Sequence, residues 1–394
     1  MDRKVYLDHT SATALDPKVL EAMVPYFTEI YGNPQSMHDA GEAAKNALEE
    51  SRQRVAEFLG GEASEIIFTS SGTEANNLAI KGLADAYQNK GNHIIVSSIE
   101  HYSILHPSRS LEKSGFKLTQ LPVDSYGTVD PDDLKKAITK DTILVSIQHA
   151  NPEVGTIQSL EELSLITRER GIPLHSDAIA SAGLLPLDVK RLGADLLTIA
   201  PHQFYGPKGI GALYVKKGIR LRPIFEGGVQ ESGRRAGTEP VPLIVGFAKA
   251  CEIAKNNMAS LSADLAFLRD RIINETPKLI EYCHLNGHPQ RRLPNNVHLS
   301  IEFVEGESMV LFLNMEGIAV STGSACSSRA LKTSHVLQAM KLDPVKAQGS
   351  LLISLGKDNS GEDITYLLDK LPPIVKRLRN MSPLYADKVK KPLP

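Results

Sequence analysis

Apolar segments of strand length alternate with helical segments through the first two thirds of the chain. The pattern predicts strands at Glu65–Thr69, His93–Ser97, Lys117–Leu121, Ile143–Gln148, Ile172–Ser176 and Leu196–Ala200. It predicts helices at Pro17–Tyr31, Gly41–Leu59, Thr73–Gln88, Ser103–Ser114, Pro131–Thr139 and Ser159–Arg170. This alternation is typical of an α/β protein whose mainly parallel sheet is covered by helices on both faces.

The pattern changes in the last third of the chain. After Val241 a long helical stretch continues to about Tyr282 and leads to a strand at Asn296–Phe303, then to helices near Leu311, Glu362 and Leu378. A chain of 394 residues is long enough for two domains. We place the change of domain near Met258–Leu261.

Charge and cysteine content exclude several classes of protein. The 44 Lys and Arg residues balance 46 Asp and Glu residues, so charge gives no reason to expect nucleic acid or a membrane surface as partner. No apolar run has the length of a signal peptide or a membrane span. The cysteines, Cys251, Cys283 and Cys326, lie far apart, which fits a reducing cytoplasm rather than a disulfide framework.

Polar side chains follow several predicted strands. Ser71, Gly72 and Thr73 open a helix, whose free N–H groups suit a phosphate, although an ordinary N-cap at Ser71 or Thr73 is the simpler alternative. His101 and Asp177 also stand just after strands. Each is a candidate for binding a cofactor, and each has a structural alternative: a capping or core-edge role for His101, and an N-cap for Asp177.

Two irregular segments are candidates for chemistry. Between the apolar segments Asp195–Ala200 and Ile210–Val215 lies a turn that carries His202 and Gln203. Irregular backbone between buried strands is where α/β proteins often keep functional side chains. The other segment is the Gly- and Ser-rich stretch around Cys326, which predicts an approachable thiol, the alternative being an incidental loop cysteine. Cys251, at helical spacing among apolar residues, is predicted to lie in the core.

Three of these segments resemble motifs of the NifS/IscS-type cysteine desulfurases. The stretch LTIAPHQFYGPKGIGALYV is similar to the segment that attaches pyridoxal phosphate (PLP) in that family, S-x-H-K-x-Y-G-P-K-G-x-G-A-L. FTSSGTEANN resembles the family's phosphate loop, and STGSACSS resembles its persulfide-carrying loop. The similarity extends from Tyr6 to Tyr385.

The resemblance implies the class-V aminotransferase architecture, fold type I of the PLP-dependent transferases. We therefore expect an α/β large domain with a mainly parallel seven-stranded sheet, residues 14–258. A small α+β domain is expected to comprise residues 1–13 and 259–394 and to carry Cys326.

The resemblance also implies roles for individual residues. PLP is expected to contact Gly72, Thr73, His101, Asp177, His202, Gln203 and Thr238. In that family His101 would stack on the pyridine ring and move protons, and Asp177 would pair with the ring nitrogen. Thr238 would reach the phosphate of a partner subunit, which implies a homodimer. Cys326 would carry the persulfide, or complete the coordination of a [2Fe–2S] cluster on a scaffold protein of IscU type.

Five positions depart from the family pattern. Gln203 stands in place of the Schiff-base lysine, and Leu352 in place of the arginine that binds the substrate carboxylate. Pro152, Ala180 and Ala200 replace an asparagine, a glutamine and a serine of the pocket. A carboxamide nitrogen is not nucleophilic, so any bound PLP is expected to be non-covalent.

Three functions are compatible with this pattern. The first is a sulfur-transfer protein of iron–sulfur cluster assembly that uses Cys326, with desulfurase chemistry altered or lost. The second is a non-catalytic dimeric platform that binds a cluster scaffold. The third is a different small-molecule activity in a remodelled pocket. The first is our prediction, and it implies no nucleic acid or membrane partner.

Overall fold

The computed structural model describes residues 3–323, 334–383 and 385–386. Within these ranges the strands are β1 (Val5–Tyr6), β2 (Ile66–Thr69), β3 (His93–Ser97), β4 (Lys117–Leu121), β5 (Thr142–Ser146), β6 (Leu174–Asp177), β7 (Leu196–Ile199), β8 (Gly211–Val215), β9 (Cys283–Asn286), β10 (Asn296–Ile301), β11 (Ile318–Ala319) and β12 (Ser350–Ser354). The helices are α1 (Pro17–Met23), α2 (Pro25–Thr28), α3 (Asp39–Leu59), α4 (Gly72–Asn77), α5 (Leu83–Tyr87), α6 (Tyr102–Glu112), α7 (Pro131–Ala137), α8 (Leu160–Glu169), α9 (Val189–Leu192), α10 (Val241–Leu279), α11 (Gly306–Met315), α12 (His335–Ala339), α13 (Pro344–Gln348) and α14 (Gly361–Asn380).

A seven-stranded sheet forms the centre of the larger unit. Its order is β2–β8–β7–β6–β5–β3–β4. Strand β8 is antiparallel to both of its neighbours, and every other pair is parallel. Except for the edge strand β4, every strand is buried along its whole length, because helices cover both faces. The predicted mainly parallel seven-stranded sheet is confirmed.

A second set of elements packs around a smaller sheet. Strands β9, β10 and β12 form an antiparallel sheet in the order β12–β10–β9. The chain start joins this unit, because β1 pairs in parallel with β11. Val5 and Leu7 lie in the same apolar cluster as Leu299 and Ile353 of the sheet.

Helix α10 connects the two units without a break. Phe247, in its first half, packs in the apolar cluster of the large sheet. Ile272, in its second half, packs in the cluster of the small sheet. The division at residues 258 and 259 remains a prediction, and the helix runs straight through it.

The predicted single helix at Pro17–Tyr31 is wrong. The structure has two short helices there, α1 and α2, which meet at Val24 and Pro25. Proline has no N–H to donate to the carbonyl four residues earlier, so α1 ends and Pro25 starts a new helix at its first position. The predicted helix Thr73–Gln88 also differs, since a π-helical turn at Leu78–Gly82 separates α4 from α5.

Across the described ranges, none of the helices has both the length and the apolar composition needed to cross a membrane.

Candidate active site

The carboxyl ends of several strands meet at one edge of the large sheet. Strands β2, β3, β6 and β7 run in the same direction. Asp177 is the last residue of β6, and the segments after β2, β3 and β7 carry Gly72, His101 and His202. In open α/β sheets this edge is where ligands bind. Hydrogen bonds and electrostatic contacts show that the predicted side chains approach one another here.

Asp177 is a buried carboxyl group at this edge, 8% exposed. Its Oδ2 accepts a hydrogen bond of 2.7 Å from the Asn76 amide, and its Oδ1 accepts the Ile179 N–H at 3.0 Å. Burial raises the pKa of this carboxyl, an effect that the nearby His101 opposes. The Ile179 bond closes a turn, and no helix begins there, so the helix N-cap predicted as the alternative for Asp177 is wrong.

His101 is the N-cap of α6, as its structural alternative predicted. Its Nδ1 accepts the Ser103 N–H at 3.1 Å and lies 2.7 Å from Ser103 Oγ. The Asn76 amide donates to the same Ser103 Oγ at 2.8 Å. Asn76 and Ser103 therefore join His101 to Asp177 through side-chain hydrogen bonds.

Neither Asn76 nor Ser103 was predicted from the sequence. Both lie on the inward faces of helices that begin at this edge, α4 and α6, and both are almost fully buried. A polar side chain on the apolar face of a helix is the signal that could have identified them.

Gly72 begins α4 in close contact with neighbouring segments. Ser71 is the N-cap, and its Oγ accepts the Glu74 N–H at 3.1 Å. A Cβ on Gly72 would lie 2.2 Å from Ile179 Cδ1 and 3.5 Å from Ala200 Cβ. Glycine here lets Ile179 pack directly on the start of the helix, next to the neighbouring residue Thr73.

Glu74 occupies the first turn of α4. Its carboxylate accepts hydrogen bonds from the Ser70 N–H at 2.7 Å and from Arg235 Nε at 2.9 Å. Burial acts to raise the pKa of Glu74, but the Arg235 and Ser70 hydrogen bonds bring it below its usual value. This acid holds the Arg235 segment, which continues to the exposed Thr238, against the helix start. Phosphate binding at Gly72, Thr73 and Thr238 remains a prediction.

The segment with His202 and Gln203 forms a single 3₁₀ turn, Pro201–Gln203, directly after β7. The His202 carbonyl accepts hydrogen bonds from the Thr13 N–H at 2.9 Å and the Thr13 hydroxyl at 3.0 Å. Burial lowers the pKa of His202, and the charges of Lys208 and His101 lower it further. Lys208 itself is exposed at the rim, while Gln203 is half-buried.

Two of the other departures, Pro152 and Leu352, lie in different units of the fold. Pro152 is in the turn after β5, and its carbonyl accepts the Asn296 amide at 3.1 Å. Leu352 is buried in β12, where its backbone pairs with that of Ser321. Cys326, with Arg329 and Lys332 after it, lies outside the described residues.

The other two cysteines are poor candidates for sulfur chemistry. Cys251 is 1% exposed in the core, as predicted, and burial raises its thiol pKa well above the usual value. Burial also raises the pKa of Cys283 to about 12. Neither side chain is a thiolate at neutral pH, the form that accepts sulfur or binds iron. The described residues contain no cluster of three or more His, Cys, Asp or Glu side chains suited to a metal ion.

The side chains at this edge suit the ring nitrogen of PLP, but Gln203 provides no amine for covalent attachment. A buried carboxyl such as Asp177, bonded to Asn76, suits a protonated ring nitrogen. PLP, when bound, supplies an electron sink for carbanions. Gln203 offers no amine for covalent attachment, so the arrangement fits a non-covalently held cofactor.

Comparisons with known proteins agree with this architecture. The model of the family Aminotransferase class-V matches residues 5–367. The chain is 50% identical over 383 residues to cysteine desulfurase IscS of Dictyoglomus turgidum, covering 97% of both chains. It is 51% identical over 380 residues to cysteine desulfurase IscS 1 of Archaeoglobus fulgidus, covering 96% of this chain and 99% of the relative.

Solved structures of NifS-like proteins have the same fold as this chain. A NifS-like protein superposes with a TM-score of 0.90 at 37% identity, covering 95% of this chain and 100% of the other. The structure described as SspA in complex with cysteine superposes with a TM-score of 0.80 at 36% identity, covering 89% of this chain and 99% of the other. The resemblance to NifS/IscS-type proteins is confirmed, and this chain belongs to the class-V aminotransferase family.

Proposed function

We propose that this protein transfers sulfur in iron–sulfur cluster assembly, with Cys326 as the persulfide carrier or as a cluster ligand. The observation that carries the proposal is the similarity to cysteine desulfurases over nearly the full length of both chains. That similarity includes the region of Cys326. The proposed chemistry needs a thiolate there, since Cys251 and Cys283 have raised pKa values.

The transfer step needs no amine in the pocket. The Cys326 thiolate attacks the outer sulfur of a donor persulfide, the new S–S bond forms, and the donor thiolate leaves. Attack by a thiolate on a sulfur–sulfur bond is ordinary thiol exchange chemistry. Gln203 therefore limits where the sulfur comes from and does not prevent this protein from accepting it.

The non-catalytic platform is the second candidate, and Gln203 with Leu352 favours it. A desulfurase needs a basic amine and a cation for the substrate carboxylate, and both positions hold neutral side chains. A platform needs a dimer and one exposed thiol. For both candidate functions we propose that PLP binds non-covalently.

We propose a cytoplasmic homodimer that binds a scaffold of IscU type. Two observations support a second copy of the chain. Thr238 is exposed at the end of the Arg235 segment, where it could reach a neighbouring subunit. Tyr31, Met37 and Val229 also leave 75%, 104% and 79% of their surfaces exposed, and aromatic and Met side chains of this kind are enriched at subunit interfaces.

The test compares Cys326→Ser with Cys283→Ser, the same substitution at a partly exposed cysteine of the small unit. Each variant is incubated with a small-molecule persulfide, and protein-bound sulfane sulfur is counted by mass spectrometry. We expect the Cys326→Ser variant to lose the label and the Cys283→Ser variant to keep it. Cluster formation on an added scaffold protein is then measured by its visible absorption.

The two measurements separate the candidates. Loss of the label and of cluster formation in the Cys326→Ser variant supports sulfur transfer. If wild type does not take up the label and the Cys326→Ser variant loses cluster formation, the platform is supported. If the Cys326→Ser variant equals wild type in both, the sulfur-transfer proposal is wrong, and a different small-molecule activity becomes the leading candidate.

A further inference from the structure

The turn at residues 151–155 links the large sheet to the small one. Asn151 Oδ1 accepts the N–H groups of Glu153 and Val154, both at 2.9 Å, and the Asn151 amide donates to the Ile99 carbonyl at 3.1 Å. These bonds fix the turn to the edge of the large sheet. The turn includes Pro152, one of the five departures at the pocket.

The small sheet holds the same turn from the other side. The Asn296 amide donates to the carbonyls of Pro152 and Glu153 at 3.1 and 3.0 Å. Arg292, only 3% exposed, donates to the Val154 carbonyl at 3.3 Å. Hydrogen bonds from the large unit and from the small unit therefore fix the shape of this turn.

The Glu153 side chain points toward the two segments that flank residues 324–333. Its Oε2 accepts the Ser334 hydroxyl at 2.7 Å. Ser334 is also the N-cap of α12, where its Oγ accepts the N–H groups of Val336 and Leu337. The hydrogen bond therefore attaches the start of α12 to the pocket turn.

Glu153 Oε1 faces a buried imidazole. His298 Nε2 lies 3.7 Å from it, and His298 is 0% exposed. The Asn286 amide donates to His298 Nδ1 at 2.8 Å, so the proton of the neutral ring is on Nε2, toward Glu153. Within the described residues Oε1 has no hydrogen-bond partner.

The backbone at Gly323 runs against this pair. A Cβ on Gly323 would lie 2.8 Å from Glu153 Cγ and 3.1 Å from His298 Nε2, and its φ of +84° also favours glycine. Two residues earlier, Ser321 pairs with Leu352 of β12. The segment that enters residues 324–333 thus contacts the same carboxyl group that Ser334 binds on the way out.

We infer that Glu153 and His298 are positioning residues that couple the pocket turn 151–155 to both chain segments flanking residues 324–333. Glu153 binds one flank through Ser334, and the pair packs against the other flank at Gly323. The coupling itself follows from these contacts. Its purpose, to place Cys326 relative to the pocket, rests on the proposed function.

The protonation state of Glu153 sets how easily its contact with the flanking segments opens. Burial raises the pKa of Glu153 to about 8, and the Ser334 hydrogen bond opposes this rise. Burial and the nearby Arg292 lower the pKa of His298 to about 3. At neutral pH both side chains are therefore uncharged, and Arg292 is the charged group beside them. Because an exposed carboxyl ionises near pH 4.5, opening of this contact becomes easier as pH rises from about 4.5 to about 8.

The experiment uses the full-length protein and two readouts. The first is hydrogen exchange of the α12 amides, and the second is the alkylation rate of Cys326 by a maleimide, divided by the thiolate fraction. Cys251 and Cys283 contribute little background because burial raises their pKa values. The variants are Glu153→Ala, Ser334→Ala and Glu153→Gln.

The matched control is Glu65→Gln. Glu65 is also a buried glutamate, but it accepts the N–H groups of Glu62 and Lys217, at the far end of β2 from the site. Glu65→Gln makes the same chemical change as Glu153→Gln, but at a site remote from the turn 151–155. Glu65→Gln is expected to leave both readouts at the wild-type rate.

We expect Glu153→Ala to raise both rates about five- to tenfold, since it removes the hydrogen bond to Ser334. Ser334→Ala removes the same bond and should raise Cys326 alkylation by the same factor, but it also removes the N-cap of α12 and should raise exchange of the α12 amides further. The double variant should gain no more than Ser334→Ala alone. Glu153→Gln should remove the wild-type increase in corrected alkylation between pH 6 and 8, because an amide does not ionise.

Three results would overturn the inference. They are unchanged rates in folded Glu153→Ala and Ser334→Ala variants, an equal increase in the Glu65→Gln control, or a pH dependence that persists in Glu153→Gln. None of them bears on whether Cys326 accepts sulfur, which the persulfide label measures separately.

Discussion

Gln203 decides the chemistry of the pocket at the scale of one residue. It follows His202 in the turn after β7, where a primary amine would be needed to attach PLP. We expect PLP added to the purified protein to be lost on dialysis, both before and after borohydride reduction, as followed by absorbance near 400 nm. A reduced PLP adduct on a lysine would contradict this, and Lys208, whose charge reaches His202, is the first lysine to examine.

The second residue-scale prediction concerns the reverse substitution. Gln203→Lys supplies the amine, but Leu352 still provides no cation for a substrate carboxylate, and Pro152 has no side-chain donor. We expect the variant to bind PLP more tightly while its sulfide release from cysteine stays near background. Gln203→Leu is the matched control for the change in size. Sulfide release at a typical desulfurase rate would show that the amine alone was missing.

The roles of single residues could be read from the sequence only in part. Ser71, His101 and Asp177 are each open to a capping and a ligand-binding interpretation, and the structure shows that Ser71 and His101 are helix N-caps while Asp177 closes a turn without a helix. The capping bond of His101 uses only Nδ1, and both oxygens of Asp177 accept hydrogen bonds, from Ile179 and from Asn76. Strand-end position predicts both roles equally, so sequence alone could not separate them.

At the scale of elements, the start of the chain stabilises the small sheet. Leu7 is 0% exposed and packs in the same cluster as Ile353. Leu7→Ala should therefore lower the free energy of unfolding of that part by about 2–5 kcal/mol. Urea unfolding followed by hydrogen exchange in β10 and β12 measures this. The control Leu20→Ala, at a position 49% exposed on α1, should change it by less than about 1 kcal/mol.

Long elements were predictable and short ones were not. The buried strands of the large sheet appear in the sequence as apolar runs, because both of their faces are covered. Strands β1 and β11 have two residues each, too few for any periodicity, and they are defined only by pairing with each other. Strand β12 is absent from the predicted strands, although Ser350–Ser354 is entirely buried.

At the scale of the whole molecule, buried ionisable groups set how stability depends on pH. Burial raises the pKa of Glu100 and Glu153 to about 8. Burial lowers the pKa of His149 to about 4, and the pKa values of His175 and His298 to about 3. The folded protein therefore favours the neutral forms of both sets, and their effects on stability have opposite signs.

The sign of each contribution follows from the pKa in the two states. The glutamates, ordinarily near 4.5, stabilise the fold fully below that pH and lose the contribution as pH rises to about 8. The histidines, ordinarily near 6.5, stabilise it fully above that pH and lose the contribution as pH falls to about 3 or 4. The two sets oppose each other between pH 4.5 and 6.5, but three histidines outweigh two glutamates, so stability should still rise with pH there, by about 1.4 kcal/mol per pH unit.

Above pH 6.5 only the glutamates of these five groups still titrate, and stability should fall until about pH 8. Each contributes at most about 1.4 kcal/mol per pH unit. Thermal melts from pH 5 to 9 in wild type and in a Glu100→Gln, Glu153→Gln double variant measure the effect. The variant should keep its melting temperature between pH 6.5 and 8, because neither amide loses a proton as the chain unfolds. An equally steep decline in the variant would assign the alkaline loss to other groups and show that both glutamates ionise at their ordinary pKa in the folded protein.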